Sequence, residues 1–295
     1  MLDAADQQET PASRRLLHDW TGLGLLDHPA RPGRGRRVGG WGVSWPETQR
    51  SLWLLLLQKR KGVKRIETLC NVPVSIWLIW GDSYVPVGQV RRAMETWAGR
   101  WEKSSKKRAY WSARHLVADL QVGDVWPPAR NTAIEVIAHM GMTGKFDRHR
   151  LVGELRKVMD PHRTGRPRGV LMQVTPETYA DAIEARMTAM RALPDLPDDA
   201  FYWVRYLWQA TRSGYAADQP RLAADPELGH LAEVPTLESV ANNACVDLLT
   251  ILGLVLMASR PGNPKGAYFD KARSPLLRGG SQGTHSNRRK RPRGE

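Results

Sequence analysis

The sequence predicts a mainly α-helical chain in three parts: a basic amino-terminal region carrying one small hairpin, a near-neutral helical region, and a disordered basic tail. Three observations predict it. Apolar residues recur at the three-and-four spacing of helices in one segment after another, and no persistent apolar–polar alternation marks a series of strands. The charge is also unevenly placed. Residues 1–115 carry 20 Lys and Arg against 10 Asp and Glu, residues 116–277 carry 18 against 19, and residues 278–295 carry 6 against 1, which makes up the net +14. A neutral middle between basic ends is the electrostatic footprint of a protein that meets a polyanion.

The elements follow in order. Leu16, Leu17, Trp20 and Leu23 give Ala12–Leu23 one apolar face, with Ser13 as its cap and Gly24 permitting a sharp exit. From Arg31 to Gly42 the text RPGRGRRVGGWG excludes a helix interior and is expected to turn as a hairpin. Pro46–Arg60 resumes helical character, with a wide face of Leu52, Trp53, Leu55, Leu56 and Leu57 that needs partners on more than one side. After Gly62, Val63–Leu69 is expected as a short helix, followed by a separate apolar segment Val72–Trp80. Helices are expected at Val87–Trp101 and Ser104–Leu120, the second opening on Lys106, Lys107 and Arg108. The pair Pro127, Pro128 reads as a joint and sets a boundary, dividing the chain into 1–125, 126–277 and 278–295. Beyond it, Asn131–Met140, Arg148–Met159, Pro176–Leu193, Asp198–Thr211 and Leu237–Ser259 form an all-helical domain. The tail from Arg278 has almost no apolar content and is expected to be disordered.

The head carries the functional signal. The text Ser13-Arg-Arg-Leu-Leu-His-Asp-Trp20, then Gly24-Leu25-Leu26 and Pro29, the basic glycine-rich hairpin, and Gln58-Lys-Arg-Lys-Gly62-Val-Lys-Arg-Ile66 resemble the MerR-like winged helix-turn-helix family over about residues 2–70. That family's reading helix has a pattern close to Ser-x-x-Thr-Leu-Arg-Tyr-Tyr, followed by a Gly-Leu-Leu exit and a wing. Here His18 stands where the family has Arg, and Asp19 and Trp20 replace its aromatic pair. The resemblance implies an N-terminal winged helix-turn-helix with a small hairpin wing, reading double-stranded DNA. The residues themselves support the same chemistry. A helix fits the major groove, and Ser13, Arg14, Arg15 and His18 lie on the polar side of theirs, in reach of base edges or phosphates. Arg31, Arg34, Arg36 and Arg37 stand among glycines, where backbone can approach phosphates or enter the minor groove.

Other signals are weaker. Gly165-Arg-Pro-Arg168 resembles the core of an AT-hook but reads more simply as an interhelical loop, and Arg288–Arg293 suits non-specific phosphate attraction or plain solubility. Trp77, Trp80, Trp97, Trp101 and Trp111 would suit base stacking, yet their Leu, Ile and Val neighbours favour core packing. Cys70 and Cys245 lack zinc-ligand spacing, His115, His139, His149 and His162 form no ligand set, and neither a nucleophile elbow nor a phosphate loop is present. Asp195, Asp198 and Asp199 sit at a helix start and read as capping. No enzyme, cofactor or metal is therefore expected. Met1–Glu9 lacks the basic start and apolar run of a secretory signal, and the runs Leu52–Leu57 and Leu248–Ala258 are short for a bilayer, so a cytoplasmic, nucleoid-associated protein is expected.

The expected function is transcriptional regulation by duplex binding, with the helical domain serving self-association or sensing of an effector or protein partner. A homodimer on a two-fold site would suit that mode. Two other classes stay open: an architectural or excision accessory protein of a mobile element, and a protein-interaction module with a vestigial DNA-binding head.

Overall fold

A computed structural model describes residues 1, 12–29, 45–63, 65–99, 105–118, 127–159, 175–224 and 237–259. Ten α-helices run through them: α1 Arg14–Gly22, α2 Glu47–Arg60, α3 Ile66–Trp80, α4 Val87–Ala98, α5 Lys106–Ala118, α6 Pro127–Thr143, α7 Arg148–Met159, α8 Pro176–Ala192, α9 Asp198–Ala224 and α10 Leu237–Ala258. Short 3-10 turns at Gly81–Ser83 and Leu193–Asp195 follow α3 and α8. The described residues are thus mainly helical and contain no strand. The expected wing, Arg31–Gly42, the tail from Arg278 and the segment Gly165–Arg168 lie outside the described residues.

The helices pack into two apolar clusters. In the first, Leu17, Trp20, Trp53, Leu56, Trp77 and Met94 from α1–α4 meet Phe201, Val204 and Trp208 of α9 and Cys245, Leu248 and Leu252 of α10. The second is built from Ala109 and Ala113 of α5, Ile134 and Ile137 of α6, Leu151 and Leu155 of α7, and Ile183 and Met187 of α8. Helix α8 joins them: its first half belongs to the second cluster, its end at Ala189 and Leu193 to the first, and Met190 packs against both. The division at 125/126 falls between α5 and α6, which pack on each other within the second cluster. Where α8 crosses α10 the backbones approach so closely that a Cβ on Gly253 would collide with the Ala185 carbonyl.

Three expectations about elements are corrected. The short helix and the apolar segment around Pro73 are one helix, α3. An interior proline costs about 3 kcal/mol, but Leu69, Cys70, Val72, Val74, Trp77 and Leu78 are all buried on either side of it, and that burial outweighs one missing N–H. Helix α6 opens at Pro127 and not at Asn131, because a first-turn position needs no N–H donor and takes the proline pair in. Helix α9 runs on past Thr211 to Ala224, with Pro220 inside it.

Helix α10 contains a window, Ala241–Ala258, of mean hydropathy 1.7, long and apolar enough by length and composition to cross a membrane. It packs as a core helix, with Ala244, Cys245, Leu248, Leu249 and Leu252 buried in the first cluster.

Candidate nucleic-acid interface

Helix α1 starts as its sequence dictates. Ser13 is the N-cap, in extended backbone at φ −135° and ψ 157°, and its hydroxyl accepts from the Leu16 N–H at 3.1 Å. Leu17, Trp20 and Thr21 are buried on the inner face, and Trp20 meets Trp53 of α2 edge-on with ring centroids 5.1 Å apart. The opposite face carries Arg14, Arg15 and His18, all exposed; the Arg15 and His18 side chains each keep 91% of their surface. Asp19 lies at the edge of this arc, 3.8 Å from Arg15 and 3.9 Å from His18. No acidic residue occupies the first turn, and no carboxylate lies within ion-pair distance of Arg14 among the described residues. Cations at a helix start oppose the positive end of its dipole, an arrangement unfavourable by a few tenths of a kcal/mol that an incoming anion reverses.

The exit from α1 fixes its orientation. Gly24 adopts φ +75°, and a Cβ there would collide with the backbone of Arg92 and Ala93 in α4. Leu25 and Leu26 follow, fully buried. Around them runs a buried amide chain in which Gln89 donates to the Leu25 carbonyl at 2.9 Å, Gln49 donates to Gln89 at 2.8 Å, and the Asp27 N–H donates to Gln49 at 2.8 Å. Arg92 donates to Asp27 at 2.9 Å, and Thr96 donates to the Leu23 carbonyl at 2.9 Å. Two buried glutamines satisfying each other and the Gly-Leu-Leu backbone tie α1 to α2 and α4, so its outward face is held by a fixed support.

Of the expected site residues, Ser13, Arg14, Arg15 and His18 are brought together on this one helix, with Ser13 spending its acceptor on the cap. Arg31, Arg34, Arg36 and Arg37 lie outside the described residues. Further along the basic text, Arg60 and Lys61 are exposed at the end of α2, and Arg65 is exposed before α3.

Many other arginines are spent internally. Arg205 of α9 closes the end of α3, donating from Nε to the Trp77 carbonyl at 2.8 Å and from its terminal nitrogen to that of Ile79 at 3.1 Å. Arg108 of α5 closes α4 in the same way, donating to the carbonyls of Trp97 at 2.9 Å and Ala98 at 3.3 Å. Arg191 of α8 donates to the Gly144 carbonyl just beyond α6. Arg91 pairs with Asp198 at 2.5 Å, which gives Asp198 a partner on α4 besides its place in the first turn of α9. Sequence reasoning grouped Arg108 with Lys106 and Lys107; the fold separates a clamp from two exposed cations.

The tryptophans divide likewise. Trp20, Trp53 and Trp77 are buried core, whereas Trp80 is 53% and Trp111 41% exposed; Trp101 lies outside the described residues. Trp80 and Tyr84, with Leu55, line an apolar depression of about 240 Å³ between α2 and the end of α3. Both cysteines are buried; desolvation pushes the Cys70 thiol up to about 12 and raises Cys245 as well, so neither is poised as a nucleophile. Asp247 on α10 is raised by burial, an effect offset in part by the Trp208 hydrogen bond and by Arg186 and Arg212. Among the described residues no group of three His, Cys, Asp or Glu side chains could hold a metal ion.

Comparisons with protein-family models, with curated proteins and with solved structures gave no match for this chain.

Proposed function

We propose that this chain is a DNA-binding transcriptional regulator that reads duplex DNA with α1, in the manner of the MerR-like winged helix-turn-helix family, with Arg31, Arg34, Arg36 and Arg37 as a basic wing. One observation supports it above the rest: a short helix exposes Arg14, Arg15 and His18 on one face while Trp20, Thr21 and the Gly24-Leu25-Leu26 exit lock the other. Pre-organised cations of this kind meet phosphates and guanine edges without ordering a mobile support first. The protein acts at the nucleoid without cofactor or catalytic chemistry, and the remaining helices serve assembly or the sensing of an effector. Genome-wide mapping of DNA bound by the intact chain tests the reading. Occupancy concentrated at a few promoter sites is expected, uniform background overturns it, and occupancy confined to the ends of a mobile element supports the accessory role instead.

A second reading, a protein-interaction module, draws on the apolar depression of Leu55, Trp80 and Tyr84. Replacing Arg14 and Arg15 by Ala separates the two, because it abolishes site occupancy in a regulator and leaves a protein-docking function untouched.

A further inference from the structure

Helix α5, KKRAYWSARHLVA, contains no acidic residue. Its inner face, Ala109, Ala113 and Val117, is buried in the second cluster, and Arg108 is committed to the end of α4. Lys107, Trp111 and Arg114 fall at i, i+4 and i+7, so they share one face, and all three are exposed. Arg65, 46 residues earlier in the chain than Trp111, arrives on this face from the other cluster: its guanidinium lies over the Trp111 ring at 4.0 Å from the centroid. One face thus carries an indole with Arg65 stacked on it and two further exposed cations at helical spacing from it. Among the described residues no carboxylate lies within ion-pair distance of Arg65, Lys107 or Arg114, whereas Arg91, Arg92, Arg148 and Arg156 are each paired with one.

Like charges on one face with no carboxylate paired to them among the described residues repel one another, which offsets part of what the Arg65–Trp111 stacking contributes. They suit a polyanion. Stacking on Trp111 restricts the exposed Arg65 side chain, which lowers the entropy cost when it takes up a phosphate. Arg60 and Lys61, both exposed, precede Arg65 by a few residues and extend the basic surface along the chain.

We infer that the exposed face of α5, with Arg65 stacked on Trp111, is a second nucleic-acid surface that grips the phosphate backbone of duplex DNA without reading its sequence. The choice of duplex DNA as the polyanion rests on the reading of α1; the surface itself does not. Because these side chains are exposed, replacing them leaves the core intact, and circular dichroism with a thermal melt verifies it.

The test is retention of a short random-sequence duplex by the full chain across a salt series. The triple variant R65A/K107A/R114A is expected to bind all sequences more weakly and to lower the slope of log affinity against log salt by roughly 0.9 for each phosphate that the variant no longer neutralises. The charge-keeping variant K107R/R114K is expected to retain the wild-type slope, and W111A to weaken binding less than the triple variant. An unchanged slope and affinity in the triple variant overturn the inference whatever α1 does. Tighter binding of a single-stranded oligonucleotide than of duplex, abolished in W111A, also overturns it. If R14A/R15A recovers the same motif as the wild type from a pool of randomised duplexes while R65A/K107A/R114A cripples binding to all of them, the reading of α1 fails and this surface stands.

Discussion

The arginines of α1 and those of the seam between α3, α4 and α9 are chemically identical and do opposite things. In the seam, Arg205 donates to carbonyls at the end of α3 and Arg91 pairs with Asp198. On α1, Arg14 and Arg15 stand in solvent at a helix start, with Asp19 at 3.8 Å from Arg15 the one carboxylate in ion-pair distance of either among the described residues. A guanidinium that satisfies buried carbonyls stabilises the fold, and one left in water beside a helix dipole of the same sign does not. Net charge therefore overstates the positive surface offered to a partner, and position decides which cations count.

That comparison breaks if seam and head variants behave alike. The largest effect is expected for Arg205→Ala, which removes a charged donor from the end of α3 and takes from the Ile79 carbonyl its Arg205 partner, while the Gly81 N–H still serves Trp77 and Gln209 still serves Leu78; a loss of roughly 3 kcal/mol, read by denaturant unfolding, should come with unchanged intrinsic DNA affinity of the folded fraction. Arg14→Ala should do the reverse, costing about 1–3 kcal/mol of binding to a preferred site if its contact to guanine is bidentate. Its unfolding free energy should stay within about 0.5 kcal/mol of wild type. Asp19→Asn sharpens the point by removing the carboxylate beside Arg15 and His18, so duplex affinity in a filter-binding titration should rise several-fold; a fall would mean that Asp19 itself reads a base. The smallest effect is expected for Arg156→Ala on the half-exposed pair with Glu177, below about 1 kcal/mol. Its sign with pH is fixed. The Arg156 hydrogen bond holds the Glu177 carboxyl below its usual 4.5, so the contribution is present above that value and is lost as pH falls through the lowered one. Melts at neutral and acid pH should differ less in the variant than in the wild type.

Much of the fold was legible because its causes are local. Ser13 capping α1, the inward Leu17 and Trp20, and the span of α7 follow from spacing and cap chemistry alone. Pro73 and Pro127 misled because a proline's meaning depends on what surrounds it: Pro73 sits in a helix buried on both sides of it, and Pro127 opens a helix. The clamp role of Arg205 was out of reach, since its partners lie 126–128 residues away in sequence. On the candidate interface, the i, i+4, i+7 register of Lys107, Trp111 and Arg114 was available in the text, but the stacking of Arg65 on Trp111 depends on packing between the two clusters. The run Lys106–Ala118 without acid was a signal that could have singled it out, but the helix expected from the sequence, Ser104–Leu120, takes in Asp119.

The central claim is that α1 selects a sequence, and selection from a pool of randomised duplexes by the full chain tests it most directly. A single recurrent motif should emerge with the wild type and vanish with R14A/R15A while the variant's melting temperature holds. No enrichment with the wild type, or the same motif recovered by the variant, would contradict the account.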